Sequence, residues 1–366
     1  MNVLDEIQYL RGTSNFDIDR SNTNRYRVVV REKTGDTSYC FSTPIYQMES
    51  GRLVRPEFQK NNKSFQFQGS NSQVLLEDRI CTLQNRDGSV ILTFQNSLHV
   101  EQANQGEIQV EPTLNGVKMT VQGSSIRFAV KVERSEYHIH ANFDNFSIMK
   151  ESFRPFVCLS ALYGIGENGS IKPMELSYTC QDSKVYEIEL KSTSSVSKFS
   201  FEINGYEMKL FQDTVVESAH PNTNHVYGAL GFIGKTDELG ESWLYARPDF
   251  SKIPELYSKY VEKVLLHIPV YGYDGGEISV FIPNQRFCSY GSTWNKRVDA
   301  QGKSCEIRYG IRYITLDLTS FFASKNFELT HNEGILIKNS NKSHKIVTLS
   351  TADHYAMPQI LEIRCK

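Results

Sequence analysis

The sequence predicts an all-β protein, an N-terminal antiparallel β-sandwich followed by a C-terminal jelly-roll β-sandwich. Three observations carry that expectation. The chain has 19 Tyr and 21 Phe against 2 Trp, and these recur with Val, Ile and Thr between clusters of Gly, Asn, Asp and Ser, a strand-and-turn composition. Apolar and polar residues alternate with period two in many short runs, as in Tyr313-Ile314-Thr315-Leu316-Asp317-Leu318-Thr319, which gives a strand one dry and one wet face. The length of 366 residues exceeds one ordinary sandwich and suits two cores. The expected division is 1–205 and 206–366, and a chain from Gly205 onward is expected to fold alone.

In order, residues 4–10 suit one short helix, and 26–31 and 38–46 read as strands with Gly35-Asp36 as their turn. Short strands then follow at 65–67, 73–76, 80–83 and 90–94, with Asp87-Gly88 at a tight turn. The same grammar continues through 108–110, 117–121, 126–132 and 137–143, separated by Asn115-Gly116 and Gly123-Ser124. Residues 153–165 form an apolar connector or a continuous buried strand, and 186–190 and 199–203 complete the first set. Together they predict a large meandering sandwich.

A net charge of -2 and the lack of a basic run argue against nucleic acid as a partner. The opening Met1-Asn2-Val3-Leu4-Asp5-Glu6 lacks the basic and apolar regions of a signal peptide, and no stretch approaches the ~20 apolar residues of a membrane span. Seven scattered cysteines without a Cys-x-x-Cys pair argue against a disulfide framework and favour a reducing site of synthesis.

Four motifs near the C-terminus follow one another: Ser292-Thr293-Trp294-Asn295, the alternating run at 313–319, Glu333-Gly334-Ile335-Leu336-Ile337 and Pro358-Gln359-Ile360-Leu361-Glu362-Ile363. Upstream lie Gln212-Asp213-Thr214-Val215-Val216, Pro221-Asn222-Thr223-Asn224 and Tyr227-Gly228, then Asp249-Phe250-Ser251-Lys252-Ile253-Pro254 before a long strand at 261–271. Over 212–366 this order resembles the DNRLRE family of bacterial jelly-roll modules. The resemblance implies a module of surface and wall-associated proteins, with Trp294 packed in the core. Pro248 departs from the pattern, since proline ends a strand or confines it to an edge. Residues 162–203 are similar to the region preceding such modules in Rhs/YD-repeat proteins, but no YD repeats follow.

Candidate site residues are few. His138-Ile139-His140 would set two imidazoles on one strand face, within reach of one metal ion. His220 with His225, and His331 with Asp353 and His354, are looser groupings. Asp213, Asp249 and Asp317 read as strand-end and turn residues, with a structural calcium as the functional alternative. Gly164-Ile165-Gly166-Glu167-Asn168-Gly169 spells a dinucleotide fingerprint, yet Pro173 follows in an extended stretch where a helix is required. No nucleophile elbow is present. Trp243 with Tyr245, and Tyr271 with Tyr273, sit at i, i+2 and would share a sheet face, a platform for sugar rings. The sequence therefore reads as a non-enzymatic surface or wall-associated module that binds polysaccharide or packs against neighbouring protein modules. The alternatives are a glycan-active hydrolase or lyase and a purely structural assembly protein.

Overall fold

A computed structural model describes residues 3–45, 47–49, 52–54, 57–69, 72–132, 137–141, 145–151, 154–167, 169–182, 184–192, 194–205, 209–253, 260–274, 276–302, 305–322, 333–339 and 345–366. The chain is all-β and forms two compact units. One comprises Met1–Ile45, Met208–Val226 and Leu230–Lys366; the other comprises Tyr46–Glu207 with Tyr227–Ala229.

Alternation builds the second unit. Among the described residues it has two sheets of eight strands. In one, the hairpins run from Gln59–Asn61 through Ser64–Gln68, Ser72–Glu77, Ile80–Asn85 and Gly88–Phe94, then Ser125–Val132, Val185–Ser192 and Met174–Asp182. Every second residue faces inward: Val74 and Leu76, Cys81 and Leu83, Val90 and Leu92, Phe128 and Val130. The other sheet is centred on Lys198–Gly205, which pairs with Gly116–Gln122 on one side and with the unbroken strand Arg154–Ile165 on the other. Its Val117, Met119, Phe199 and Phe201 enter the same core. Phe128 lies 4.8 Å from Phe94 and 5.7 Å from Phe201, so stacked rings tie the layers together. Gly164 lies within the strand Arg154–Ile165, Gly166 and Gly169 serve the turn after it, and the strands Ile171–Lys172 and Met174–Asp182 follow, so no helix N-terminus meets these glycines.

The first unit is organised by the strand Val261–Tyr273. Its leading part lies between Ile360–Cys365 and Tyr313–Asp317, while residues 270–273 pair with Ile346–Ser350. One strand thus joins two sheets. Beyond Ile360–Cys365 the first sheet continues with Gly35–Phe41, Arg27–Glu32 and Asp17–Ile18. The facing layer contains Phe211–Glu217, Gly240–Pro248, Ile335–Asn339 and Ile278–Pro283. Val264, Leu266, Ile268, Ile314, Leu316, Leu361 and Ile363 meet Val215, Leu244, Ala246, Val280, Ile335 and Ile337 in one apolar core. Pro248 is the last residue of its strand, where its missing N–H leaves no later ladder position unfilled.

Two expectations need correction here. Residues 1–45 do not join the N-terminal sandwich: Gly35–Phe41 adds to Ile360–Cys365 in six register pairs, so the 46–207 segment is inserted into the other unit. The hairpin turn is Lys33-Thr34, two residues before the expected Gly35-Asp36. Gly35 instead lies in the strand at φ 156°, where a Cβ would fall 1.9 Å from the Cys365 carbonyl oxygen.

The helix Val3–Arg11 covers the outer face of this sheet, with Val3 and Ile7 buried. Glu6 anchors it, accepting from the Tyr313 hydroxyl at 2.6 Å and pairing with Arg312. Below it, His267 Nε2 lies 3.0 Å from Glu362 Oε2 and His267 Nδ1 lies 2.9 Å from Thr315 Oγ1. Arg364 closes the line by donating to the other Glu362 oxygen at 2.7 Å.

Candidate functional site

The four aromatic residues expected to form a platform meet different fates. Tyr245 is fully buried, and its hydroxyl donates to the Val298 carbonyl at 2.5 Å, so no ring face is open to a ligand. Burial pushes its phenol up. Trp243 packs at 4.9 Å from Trp294 in a small cluster with Val216, Phe287 and Leu336. Its indole N–H donates to Glu241 at 2.8 Å. Arg297 lies over both indoles, 4.5 Å from the Trp294 ring and 5.1 Å from the Trp243 ring, and Lys338 lies 4.5 Å from the Trp243 ring. The rings are already taken by the protein's own cations. Trp294 is half-buried at the edge of this cluster, which corrects the expectation that it sits in the main core.

Tyr271 and Tyr273 do not form one platform. The register slips between Val270 and Gly272, leaving Tyr271 as an extra residue opposite Ile346–Ser350. Tyr271 is half-buried and stacks on His354 at 5.0 Å, with ring planes 19° apart. Tyr273 remains outside, 54% exposed.

Tyr273 finds a different partner. The strand Glu306–Tyr309 pairs at the sheet margin with Tyr313–Asp317 and brings Tyr309 to 5.8 Å from Tyr273, with ring planes 56° apart. Tyr309 is 44% exposed and Ile311, in the turn that follows, is 94% exposed. Tyr309 is held in place because its hydroxyl accepts from the Ile278 backbone N–H at 2.9 Å. Partial burial pushes its phenol up, helped by Tyr273 and the Glu277 carboxylate and opposed by the Ile278 N–H. The result is two tilted, partly exposed rings, of which Tyr309 is anchored through its hydroxyl and feels the Glu277 carboxylate. Tyr309 and Ile311 were missed in sequence because nothing in Arg308-Tyr309-Gly310-Ile311-Arg312 departs from an ordinary strand and turn.

The titratable groups fall into separate clusters. His138 and His140 lie on the strand His138–Ala141, but their side chains fall outside the described residues, as does His331. Glu217 Oε2 lies 3.3 Å from His220 Nδ1 and 3.5 Å from His225 Nε2. Among the described residues no group of three His, Cys, Asp or Glu side chains converges on a metal position. The three aspartates named for calcium each meet donors of the protein. Asp213 accepts from the Ala352 N–H at 2.5 Å, Asp249 lies 3.6 Å from Lys252, and Asp317 accepts from Thr319 and lies 3.6 Å from Lys263. Asp353, expected near His331 and His354, pairs instead with the buried Lys209. The His267–Glu362 line is sealed beneath the sheet surface, where it serves packing. Among the described residues no helix is long and apolar enough to cross a membrane.

No family model matches the chain, and no curated protein matches it. A solved structure similar in extent is the crystal structure of the N-terminal domain of the Streptococcus gordonii adhesin Sgo0707. It is 8% identical, covers 95% of this chain and 97% of that one, and has a TM-score of 0.19, a superposition too slight to carry an argument.

Proposed function

We propose that the chain is a non-enzymatic binding module of a bacterial surface or cell wall, and that it takes polysaccharide on the Tyr273–Tyr309 edge. The observation that supports this reading is the pair of exposed rings 5.8 Å apart, fixed by the Tyr309 hydroxyl and flanked by Glu277. Sugar rings offer apolar C–H faces to tyrosine, while carboxylates accept from their hydroxyls. The setting rests on the DNRLRE resemblance of 212–366. Calcium is retained as an optional structural partner, tested with the glycan.

The test is affinity electrophoresis of the intact chain through soluble polysaccharides, with calcium and with chelator, beside a reducing-sugar assay. Retardation without sugar release is expected, and Tyr273→Ala or Tyr309→Ala should weaken it about two- to twelvefold, since an aromatic contact contributes ~0.5–1.5 kcal/mol beyond area burial. Sugar release would overturn the non-enzymatic reading. Retardation unchanged in both variants would move the site elsewhere, and no retardation on any polysaccharide would leave packing against neighbouring modules.

A further inference from the structure

Lys209 stands two residues ahead of the strand Phe211–Glu217, and Asp353 stands three residues beyond the strand Ile346–Ser350. Their side chains are 9% and 7% exposed, and Lys209 Nζ donates directly to Asp353 Oδ1. Asp213 lies on the first of these strands and is buried as well. Its Oδ2 accepts from the Ala352 N–H at 2.5 Å, which fixes the carboxyl against the residue preceding Asp353. Its Oδ1 has no hydrogen-bond partner among the described residues. Burial first, then the negative charge of Asp353, push Asp213 up to about 7, against the pull of Lys209 and the Ala352 N–H. Burial and the neighbouring Asp353 charge thus both favour the protonated form of this carboxyl.

A buried ammonium and carboxylate lose hydration that their attraction only partly returns. Condensing them removes both charges. We propose that Lys209 and Asp353 join in an intramolecular isopeptide bond between Nζ and Cγ, with Asp213 as the proton relay. A proton first passes from the Lys209 ammonium to Asp353 along their contact, leaving an amine beside a carboxylic acid. The nitrogen lone pair then forms the Nζ–Cγ bond. The tetrahedral carbon loses one oxygen as water, which departs with a proton from Asp213, and the Asp213 carboxylate regains a proton from the nitrogen. One ammonium and one carboxylate become one secondary amide and one water. Nothing is oxidised or reduced, and no co-reactant is needed. Exclusion of bulk water favours condensation over the reverse hydrolysis. The bond ties residues 144 apart in sequence and clamps the lead-in to Phe211–Glu217 to the loop before the final strand.

The test is the intact mass of the purified full chain in denaturant, followed by proteolysis and peptide mapping. The wild-type chain should weigh one water less than its sequence requires, with a branched peptide joining Lys209 to Asp353, and Lys209→Arg should restore the full mass. Asp353→Asn should converge on the wild-type mass, because its carboxamide loses ammonia in place of water. Asp213→Asn should retain the full mass with native tryptophan fluorescence, and Asp213→Glu should recover the loss; a packing role alone would not link these masses. A folded wild-type chain at full mass overturns the bond, even where a variant fails to fold. A missing water that maps elsewhere or persists in Lys209→Arg overturns its assignment, and loss of water in Asp213→Asn overturns the relay.

Discussion

Excising residues 46–207 and joining Ile45 to Met208 through a short Gly-Ser linker should leave a folded unit. The junction is already closed, since the Leu210 N–H donates to the Ser42 carbonyl at 2.9 Å, so a few residues at ~3.3–3.6 Å each span it. Replacing the 162 excised residues by about six shortens the loop by nearly five halvings, worth roughly 3 kcal/mol of closure entropy at ~0.6 per halving. The contrasting chain, 205–366, lacks the strand Gly35–Phe41. It thereby loses the burial of Ile7, Val28, Val29, Val30, Tyr39 and Phe41, all at most 2% exposed. At ~1.5–3 kcal/mol for each, the loss is about 9–18 kcal/mol, as large as the ~5–15 kcal/mol by which whole domains are stable. Urea unfolding followed by tryptophan fluorescence isolates this unit, because both Trp243 and Trp294 belong to it. The joined chain should show one cooperative transition and 205–366 none. A cooperative transition for 205–366 with a midpoint at or above that of the joined chain would refute the assignment of residues 1–45.

Two further expectations concern single side chains. Tyr245→Phe keeps the buried ring and removes only the bond to the Val298 carbonyl, so it should cost about 1–2 kcal/mol in urea unfolding while glycan retardation is unchanged; a neutral change would mean the hydroxyl is satisfied elsewhere. For Glu362, burial opposes ionisation, but His267 and Arg364 more than offset it and hold the carboxyl below its usual 4.5. A depressed folded value gives stability that is present above about pH 4.5 and lost as pH falls through the folded value. Thermal unfolding from pH 5 to pH 3 should therefore be flatter in Glu362→Gln than in the wild type, and parallel curves would show that Glu362 is not part of the acid response.

Local pattern made the strands legible, and long-range pairing hid the rest. The helix near Leu4 follows from composition and period alone, and of the two expectations for 153–165 the structure takes the continuous strand, Arg154–Ile165; the turn expected at Asp87-Gly88 falls one residue earlier, at Arg86-Asp87, with Gly88 opening the next strand. The place of residues 1–45 does not, because Gly35–Phe41 has the alternation of a strand in either unit and only its pairing with Ile360–Cys365 decides. The i, i+2 rule placed Tyr271 and Tyr273 on one face; the extra residue at Tyr271 breaks that rule. It also grouped Trp243 with Tyr245, but Arg297 and Lys338 come from distant strands and loops, and no spacing announces that they cover an indole. Asp213 was visible as a strand aspartate, whereas its meeting with Lys209 and Asp353 depends on the closed sandwich.

The pairing of Gly35–Phe41 with Ile360–Cys365 sets a timetable for the nascent chain. Gln359 N–H donates to Ser42 Oγ across 317 residues of sequence, so at ~5–20 residues per second of synthesis the early strand waits roughly 15–60 s for its neighbour. Val28-Val29-Val30 can pair with it at once, but during that interval the other edge of Gly35–Phe41 lacks its native neighbour and is a template for joining another emerging chain. The 46–207 unit can condense meanwhile from its own hairpins. Aggregation during expression should therefore be governed by the first forty-five residues, with a holding chaperone acting on them before the ribosome reaches the last strand.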